Sequence, residues 1–301
     1  MKKRLLIAGG SGLIGTALIK EANPDQWDIT ILSRQPGPGR VIWDPVANTI
    51  NLQKNETFDA IINLAGASVT DGRWTAKRKK EIYESRVNAG RALENYLKDG
   101  RLSTPFYLGV SGIGIYGDRG NEVVNEQTPI LHQDDWLIKT TIDWEEAHQR
   151  IADLGIRTVI FRTAIVLSIE GGALKEILGK PGFGVLSYFG NGRQIWSWIQ
   201  MEDLIRLFFF SLEHQQINGT FIAASPHPVP NKRLTQTLNK FLSPKRLVMG
   251  VPKIVMSLIL GETHRILFES CNASPAKIES EGFQFKYPEI EKALADLMIR
   301  K

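Results

Sequence analysis

The sequence predicts an α/β protein with a doubly wound parallel sheet and a smaller C-terminal lobe. From residue 3 to about 167, short apolar or β-branched runs alternate with longer helical patterns, which is typical of parallel βαβ units. A glycine-rich turn follows the first apolar run. Beyond about residue 168 the alternation gives way to a second glycine-rich stretch, of the kind that builds a lobe over the carboxyl edge of such a sheet.

The predicted elements follow one another at the spacing that crossover connections need. We predict strands at Arg4–Ala8, Asp28–Leu32, Ala60–Leu64, Phe106–Val110 and Thr158–Phe161. The predicted helices are Gly12–Glu21, Ala76–Lys98 and Asp135–Asp153, with a later one at Glu202–Leu212. The helices between strands are long enough to return the chain to the same edge of the sheet.

The changes in pattern divide the chain into three units. We predict a nucleotide-binding core at 1–167, elements of a substrate lobe interleaved with that core at 168–230, and a small C-terminal domain at 231–301. In the last unit, Leu234, Leu238, Phe241 and Leu242 mark a helix with one apolar face. Residues Phe283, Phe285 and Tyr287 alternate as on a strand.

Composition excludes several classes of protein. The chain has 301 residues, is 43% hydrophobic and carries a formal net charge of +5, which is ordinary for a soluble protein. Its single cysteine, Cys271, allows no internal disulfide, and we expect a cytoplasmic protein. No stretch approaches the ~18–20 apolar residues of a membrane span, so no membrane association is expected.

Neither nucleic acid nor a metal is expected to bind. The densest basic run, residues 77–80, leads into Glu81 without alternating aromatic residues, and we interpret it as a solvated helix face. The 5 histidines show no spacing typical of metal ligands, so no metal site is predicted.

The glycine turn has the spacing of a dinucleotide-binding motif. The segment Gly9–Gly15 reads G-G-S-G-L-I-G between a strand and a helix. One glycine makes the sharp turn, one lets a pyrophosphate approach the backbone, and one lets the helix pack on the strand, while the helix N-terminus offers N–H groups to phosphate. We therefore predict that Gly9, Gly12, Leu13, Ile14 and Gly15 contact a dinucleotide; the alternative is a simple turn.

The end of the second strand favours NADP(H) over NAD(H). An NAD site usually has an acidic residue there to accept a hydrogen bond from the ribose 2′-hydroxyl. This chain has Ser33 and Arg34 instead, and Arg34 is suited to a 2′-phosphate. The alternative is that Arg34 only points into solvent.

With these residues in view, the chain resembles a branch of the extended short-chain dehydrogenase/reductases, the epimerase-like family that ends in a small C-terminal domain of unknown function. The likeness covers nearly the whole length. Besides the glycine turn, it rests on Leu32–Arg34, Ile62–Gly66, Glu84–Val87, Ser111, Ile115–Asp118, Asp143–Glu145, Phe161–Thr163, Val166–Ser168, Gly171–Leu174, Gly192–Gln194, Trp198–Ile199, Asp203–Leu204, Ala224–Pro226, Val251–Pro252, Glu281–Phe283 and Tyr287–Pro288.

This resemblance implies a Rossmann-type core that holds NADP(H), and a substrate lobe assembled from the C-terminal third. It further implies that Leu64, Ala65 and Gly66 line the adenosine and phosphate path. Arg86 would reach the cofactor from the following helix, and Ser111 would lie beside the nicotinamide.

One departure from the wider group concerns proton transfer. Short-chain dehydrogenases carry a Tyr-x-x-x-Lys pair, in which the tyrosine exchanges the substrate proton and the lysine lowers its pKa. Here Trp136 and Thr140 stand at those positions, and Lys139 is one residue away, turned by about 100° on a helix. We predict Ser111 and Tyr116 as the catalytic hydroxyls; the alternative for Tyr116 is a turn residue.

These expectations combine into one hypothesis with two competitors. The hypothesis is an NADP(H)-binding oxidoreductase or epimerase-like enzyme acting at a hydroxyl- or carbonyl-bearing carbon of a small molecule. The missing tyrosine and lysine favour, as the first competitor, a non-enzymatic NADPH-binding sensor. The second is a scaffold that binds no nucleotide, in which the glycine motif is vestigial.

Overall fold

An eight-stranded sheet forms the centre of the computed structural model, which describes residues 1–53, 55–179 and 184–299. Its strands are β1 Lys3–Ala8, β2 Trp27–Ser33, β3 Arg40–Asp44, β4 Thr49–Ile50, β5 Ala60–Asn63, β6 Phe106–Gly112, β7 Arg157–Thr163 and β8 Gly219–Ala223. The spatial order is β8-β7-β6-β5-β1-β2-β3-β4. All neighbours are parallel except β3 and β4, which form an antiparallel edge.

Helices cover the sheet and build the lobe beyond it. They are α1 Leu13–Glu21, α2 Ala76–Lys98, α3 Trp136–Ala152, α4 Gly172–Leu178, α5 Met201–Glu213, α6 Asn231–Lys240, α7 Lys253–Leu260, α8 Arg265–Phe268, α9 Ala276–Ser280 and α10 Ile290–Ile299. Single turns of 3₁₀ helix lie at Ile113–Tyr116 and Gly261–His264. None of the helices in the described ranges is long and apolar enough to cross a membrane.

Both faces of the sheet are buried, which explains the unbroken apolar runs of its strands. On β1, Leu5 and Ile7 face a cluster that includes Phe208 of α5. Their neighbours Leu6 and Ala8 face the opposite cluster, which includes Leu93 of α2. A parallel sheet with helices on both faces is the predicted doubly wound architecture, and the prediction of fold class is confirmed.

The order of the strands reverses between β1 and β5, so this is the switch point of the sheet. From β1 the chain first builds β2 and β3 on one side, then returns to build β5, β6, β7 and β8 on the other. In open α/β sheets, ligands bind at this switch point, outside the carboxyl ends of the strands.

Short ladders outside the central sheet connect further parts of the chain, most of them in its second half. Within the described ranges, Ile165–Leu167 pairs with Trp198–Gln200, and Val185–Phe189 pairs with Leu247–Val251. The remaining two-residue ladders join Ile195–Trp196 to Val229–Pro230, Val123–Val124 to Asn272–Ala273, and Glu56–Thr57 to Leu102–Ser103. Their core includes Trp196, Trp198, Leu234, Leu238 and Leu294.

Every predicted strand and helix of the first 213 residues is present, with ends within two residues of the prediction. The sequence prediction missed β3, β4 and β8 of the central sheet. Since β8 belongs to the stretch 168–230, that stretch does contribute to the sheet. The division of the chain into three units remains a prediction.

The strand predicted through Phe283, Phe285 and Tyr287 is wrong. The segment alternates between buried and exposed side chains but has no strand partner in the described part of the chain. Its backbone N–H groups at 286 and 287 donate instead to the carboxylate of Asp203, at 2.9 and 2.8 Å. A buried carboxylate thus replaces the neighbouring strand, and sequence alternation alone does not distinguish the two.

Candidate functional site

The glycine turn after β1 is packed too closely for larger residues. Gly9 has φ +80°, and a Cβ there would lie 2.6 Å from the carbonyl carbon of Leu64. A Cβ on Gly15 would lie 2.4 Å from the carbonyl oxygen of Gly9. At Gly12, which precedes α1, a Cβ would lie 3.3 Å from the same oxygen. The turn therefore requires glycine on geometric grounds at Gly9 and Gly15.

The start of α1 is free of side-chain caps. Gly12 occupies the cap position and offers no side chain to the first N–H groups of the helix. No acidic residue lies in the first turn, which contains Leu13 and Ile14. The partial positive charge of this helix end is thus uncompensated by protein groups in the described ranges, a suitable arrangement for phosphate.

The segment after β5 lies directly beside the glycine turn. The Leu64 N–H donates to the Ala8 carbonyl at 2.9 Å, and the Ala65 N–H donates to Asn63 Oδ1 at 3.1 Å. A Cβ on Gly66 would lie 3.2 Å from the Arg86 guanidinium carbon. Because Gly66 has no Cβ, the Arg86 guanidinium can pack directly against its backbone.

Arg86 is a buried cation that has no carboxylate partner among the described residues. Its Nη1 donates to the carbonyl oxygens of Ala67 and Ile82, at 2.8 and 3.1 Å, and its guanidinium carbon lies 4.8 Å from the centre of the Trp144 ring. Burial, together with the charge of Arg78, lowers the pKa of Arg86 to about 10. A buried charge without a counter-ion is costly, so this position favours an incoming anion.

Ser33 and Arg34 end β2, the neighbour of β1. The Ser33 hydroxyl accepts a hydrogen bond from the Gln35 N–H at 3.1 Å. Arg34 is exposed, and it forms no ion pair with the described residues. The side chain is therefore available to a ligand on this side of the turn.

Ser111 lies near the carboxyl end of β6 and is 3% exposed. Its hydroxyl donates to Glu145 Oε1 at 2.6 Å. Glu145, on α3, also accepts two hydrogen bonds from Arg162 of β7, from Nε to Oε1 and from Nη2 to Oε2, both at 2.8 Å. Glu145 and Arg162 belong to the family motifs found in the sequence, but no role was predicted for either.

Tyr116 is buried and is connected to Ser111 through Arg162 and Glu145. Tyr116 is the last residue of the 3₁₀ turn and is 1% exposed. Its hydroxyl donates to the Asn125 carbonyl at 2.8 Å and accepts from Arg162 Nη1 at 2.7 Å. Burial raises the pKa of Tyr116 to about 12 despite the nearby Arg162. This environment suits a residue that holds Arg162, and a catalytic role for Tyr116 stays a hypothesis.

The residues at the tyrosine and lysine positions have no acid–base chemistry. The Trp136 ring packs at 62° against Trp74, with centroids 5.0 Å apart. Thr140 is buried and donates to the Trp136 carbonyl at 2.7 Å. Lys139 points to the surface, where its Nζ lies 3.3 Å from Asp143 Oδ1.

A second chain of buried polar side chains connects the ends of β5 and β6 to α3, and it was not predicted from the sequence. The Asn63 side-chain amide donates to the Tyr107 hydroxyl at 3.0 Å, and that hydroxyl lies 2.7 Å from His148 Nδ1. His148 Nε2 lies 3.1 Å from the Val110 carbonyl. Since a carbonyl only accepts, Nε2 carries the proton and Nδ1 accepts from Tyr107. The chain links α3 and β6 to Asn63, which holds the Ala65 N–H.

The stretch 258–265 contacts the segment that leads into α2, α2 itself and the cap of α3. Arg73 donates to the carbonyls of Leu258 and Ile259, and the Trp74 N–H donates to the Thr263 hydroxyl at 3.0 Å. Arg265 pairs with Asp135, the cap of α3, at 2.6 Å, and Lys79 pairs with Glu262 at 2.6 Å. Lys79, from the basic run, is therefore committed to an intramolecular contact.

The sheet order and the glycine turn define a Rossmann-type α/β protein. The chain belongs to the NAD dependent epimerase/dehydratase family, which matches residues 5–224. Residues 251–297 match DUF1731, a domain of unknown function. The resemblance identified from the sequence is thereby confirmed.

Relatives share this organisation over their whole length. An epimerase family protein of Staphylococcus aureus (strain MRSA252) is 31% identical, with 98% of this chain and 99% of that protein covered. One of Mycobacterium leprae (strain TN) is 30% identical, with 98% and 95% covered. Among solved structures, human epimerase family protein SDR39U1 (isoform 2) with NADPH has a TM-score of 0.88 at 27% identity, covering 99% of this chain and 100% of that chain.

Proposed function

We propose that the protein is an NADP(H)-dependent oxidoreductase or epimerase-like enzyme that acts at a hydroxyl- or carbonyl-bearing carbon of a small molecule. The observation that carries the proposal is the glycine turn, in which Gly9 and Gly15 have no space for a Cβ and α1 begins without a side-chain cap. That geometry fits a pyrophosphate on the helix N-terminus.

Two cations support the choice of a phosphorylated dinucleotide. Arg86 is buried next to Gly66 and has no carboxylate partner among the described residues. Arg34 is exposed at the position where an NAD site has an acidic residue. We assign Arg34 to the 2′-phosphate and Arg86 to the neutralisation of the phosphate path, and the human relative solved with NADPH is consistent with this choice.

The remaining site residues would hold and orient the reactants. When bound, NADPH supplies a hydride to an electrophilic carbon. The hydroxyl of Ser111, fixed by Glu145, would contact the oxygen or nitrogen of the substrate. Tyr116 and Arg162 would support Ser111 and Glu145 from behind.

A non-enzymatic NADPH sensor is the second candidate, and one observation favours it. Trp136 and Thr140 replace the tyrosine and lysine of the usual proton-transfer pair, and Thr140 is buried against the helix backbone. Single-turnover assays in both directions separate the two candidates: oxidation of bound NADPH with a panel of carbonyl compounds, and reduction of bound NADP⁺ with the matching alcohols. Turnover with any member in either direction supports the enzyme, and failure of both panels supports the sensor.

The substitution Gly15→Ala tests the nucleotide site. Because the new Cβ would meet the Gly9 carbonyl at 2.4 Å, the turn must open, and we expect NADPH affinity to fall by at least tenfold, about 1.4 kcal/mol. The matched control is Gly184→Ala, which meets no atom within 4 Å. Isothermal titration calorimetry gives both dissociation constants, with circular dichroism to verify folding. Equal NADPH affinity in a folded Gly15→Ala variant would contradict the proposal.

A further inference from the structure

The polar groups behind Ser111 form an ordered chain across three elements. Ser111 on β6 and Arg162 on β7 are direct partners in the parallel register, and Glu145 of α3 reaches between them. The side chains of Arg162 and Glu145 are 9% and 13% exposed. Arg162 continues the chain to the Tyr116 hydroxyl, whose proton goes to the Asn125 carbonyl.

The direction of each hydrogen bond in this chain follows from donor and acceptor chemistry. An ionised carboxylate only accepts, and a guanidinium only donates. The Arg162–Glu145 contact has two parallel hydrogen bonds, an arrangement that is strong and specific. Burial alone would lower the Arg162 pKa, but the hydrogen bonds and charge of Glu145 more than offset this, so the Arg162 pKa is raised. Both oxygens of Glu145 thus accept hydrogen bonds from Arg162, and Oε1 also accepts one from the Ser111 hydroxyl.

A serine hydroxyl has one proton and two lone pairs. The only proton of Ser111 lies in a 2.6 Å hydrogen bond to Glu145. The Ser111 oxygen can therefore offer a ligand only its lone pairs, which makes it a hydrogen-bond acceptor. A ligand hydroxyl or amino group can donate to them, whereas a ligand carbonyl oxygen would meet another acceptor and remain unpaired.

We propose that Glu145 and Arg162 are positioning residues that fix Ser111 as a hydrogen-bond acceptor, so that the site binds its substrate as an alcohol in preference to the matching ketone. This inference rests on the proposed function, because it takes Ser111 to face the substrate beside the nicotinamide. It names the substrate class as hydroxyl compounds bound together with NADP⁺. A site that offers the ligand only an acceptor discriminates against a ligand that has no hydrogen-bond donor at that position, because the buried acceptor is then left unpaired.

The test compares secondary alcohols with the ketones that differ from them only at the functional carbon. Ligand-observed NMR on full-length protein loaded with NADP⁺ gives the dissociation constants for each pair. We expect the wild-type protein to bind the alcohol about tenfold more tightly than its ketone, a difference of about 1.4 kcal/mol. Equal or tighter binding of the ketones would overturn the inference.

Variants separate positioning from a purely structural role. Glu145→Gln leaves Arg162 poorly paired in a buried place and is at risk of misfolding, so the main variant is the double substitution Glu145→Leu with Arg162→Met, which removes both charges together. In this variant the Ser111 proton is released, and the alcohol preference should fall below threefold. Ser111→Ala should abolish the preference, while Glu146→Gln, an exposed neighbour on α3, should retain it.

The outcomes also distinguish this inference from the function on which it rests. The NADP⁺ dissociation constant is measured in the same samples. Absence of NADP⁺ binding by the wild-type protein would count against the proposed function. Normal NADP⁺ binding together with a full alcohol preference in the double variant would show that Glu145 and Arg162 do not set it, and would overturn the inference alone.

Discussion

The Tyr116 hydroxyl occupies the middle of the buried chain behind Ser111, which limits what it can do chemically. Both hydrogen bonds of the phenol are made inside the protein, to Asn125 and from Arg162. A pKa raised to about 12 by burial makes its deprotonation at neutral pH unfavourable. In our account Ser111 contacts the ligand, and Tyr116 holds the ion pair of Arg162 and Glu145 in place.

Replacing Tyr116 with Phe should therefore affect stability more than cofactor binding. The change removes the Tyr116 hydrogen bond to the Asn125 carbonyl, which keeps only the Thr128 N–H, and it leaves one Arg162 N–H without its hydroxyl acceptor. The free energy of unfolding should therefore fall by roughly 1–3 kcal/mol. The NADPH dissociation constant should stay within about twofold of wild type. Urea denaturation and calorimetry measure the two quantities.

The control for this substitution is Tyr188→Phe, because the Tyr188 hydroxyl makes no hydrogen bond to the described residues and its loss should cost little. Single-turnover oxidation of NADPH in Tyr116→Phe addresses the remaining hypothesis. A rate at least tenfold lower, within the ~10²–10⁴-fold typical of acid–base catalysis, would assign proton transfer to Tyr116, and an unchanged rate would remove it from the chemistry.

At the scale of elements, the contact of α3 with the sheet depends on a neutral histidine. His148 is fully buried between Tyr107 and the Val110 carbonyl, and a Cβ on Gly109 would lie 2.6 Å from its ring. Burial lowers the pKa of His148 from 6.5 to about 4. The glycine in the middle of β6 is therefore explained by the approach of the imidazole.

This pKa shift predicts how stability depends on pH. The unfolded chain binds the proton near pH 6.5 and the folded chain only near pH 4, so the stabilisation is present above pH 6.5 and is lost as the pH falls toward 4. The expected loss from this group is about 3 kcal/mol. Urea denaturation across this range should show a smaller pH dependence in His148→Gln, whereas His132→Asn, at an exposed loop residue, should match wild type. An undiminished dependence in His148→Gln would contradict the assignment.

Elements with a strong apolar pattern could be predicted from the sequence. Weakly patterned edge strands and a segment held by a single polar group could not. The runs that became β1, β5 and β6 are continuously apolar because helices cover both faces of the sheet. By contrast, β3 and β4 lie at an exposed edge and carry little pattern. The segment around Tyr287 imitates a strand because its N–H groups bind the Asp203 carboxylate.

The candidate site divides in the same way. The glycine turn was predictable because close backbone packing leaves no choice of residue at Gly9 and Gly15. The partners of Ser111 were not, because Glu145 and Arg162 come together only through the packing of α3 on the β6–β7 pair. Charged residues in a helix and a strand are mostly surface residues, and the sequence alone gives no sign that these two meet.

At the scale of the whole molecule, the stretch from residue 231 onward shares a hydrophobic cluster with earlier parts of the chain. Trp196 and Trp198 pack with Leu234, Leu238 and Leu294 in one cluster. Arg73 and Lys79 connect the Rossmann core to the stretch 258–265. A protein that ends at residue 230 should therefore expose apolar surface and aggregate. Size-exclusion chromatography checks this, and a soluble, folded truncation would show that the domain is an independent appendage.

The preference for NADPH over NADH tests the central claim most directly. If Arg34 holds the 2′-phosphate as we propose, its charge-assisted hydrogen bonds should contribute about 1.5–3 kcal/mol. Calorimetric titration of the wild-type protein should give a lower dissociation constant for NADPH than for NADH. Arg34→Ala should weaken NADPH binding by roughly ten- to a hundredfold and leave NADH binding nearly unchanged. Equal losses for both cofactors, or tighter binding of NADH by the wild-type protein, would contradict the account.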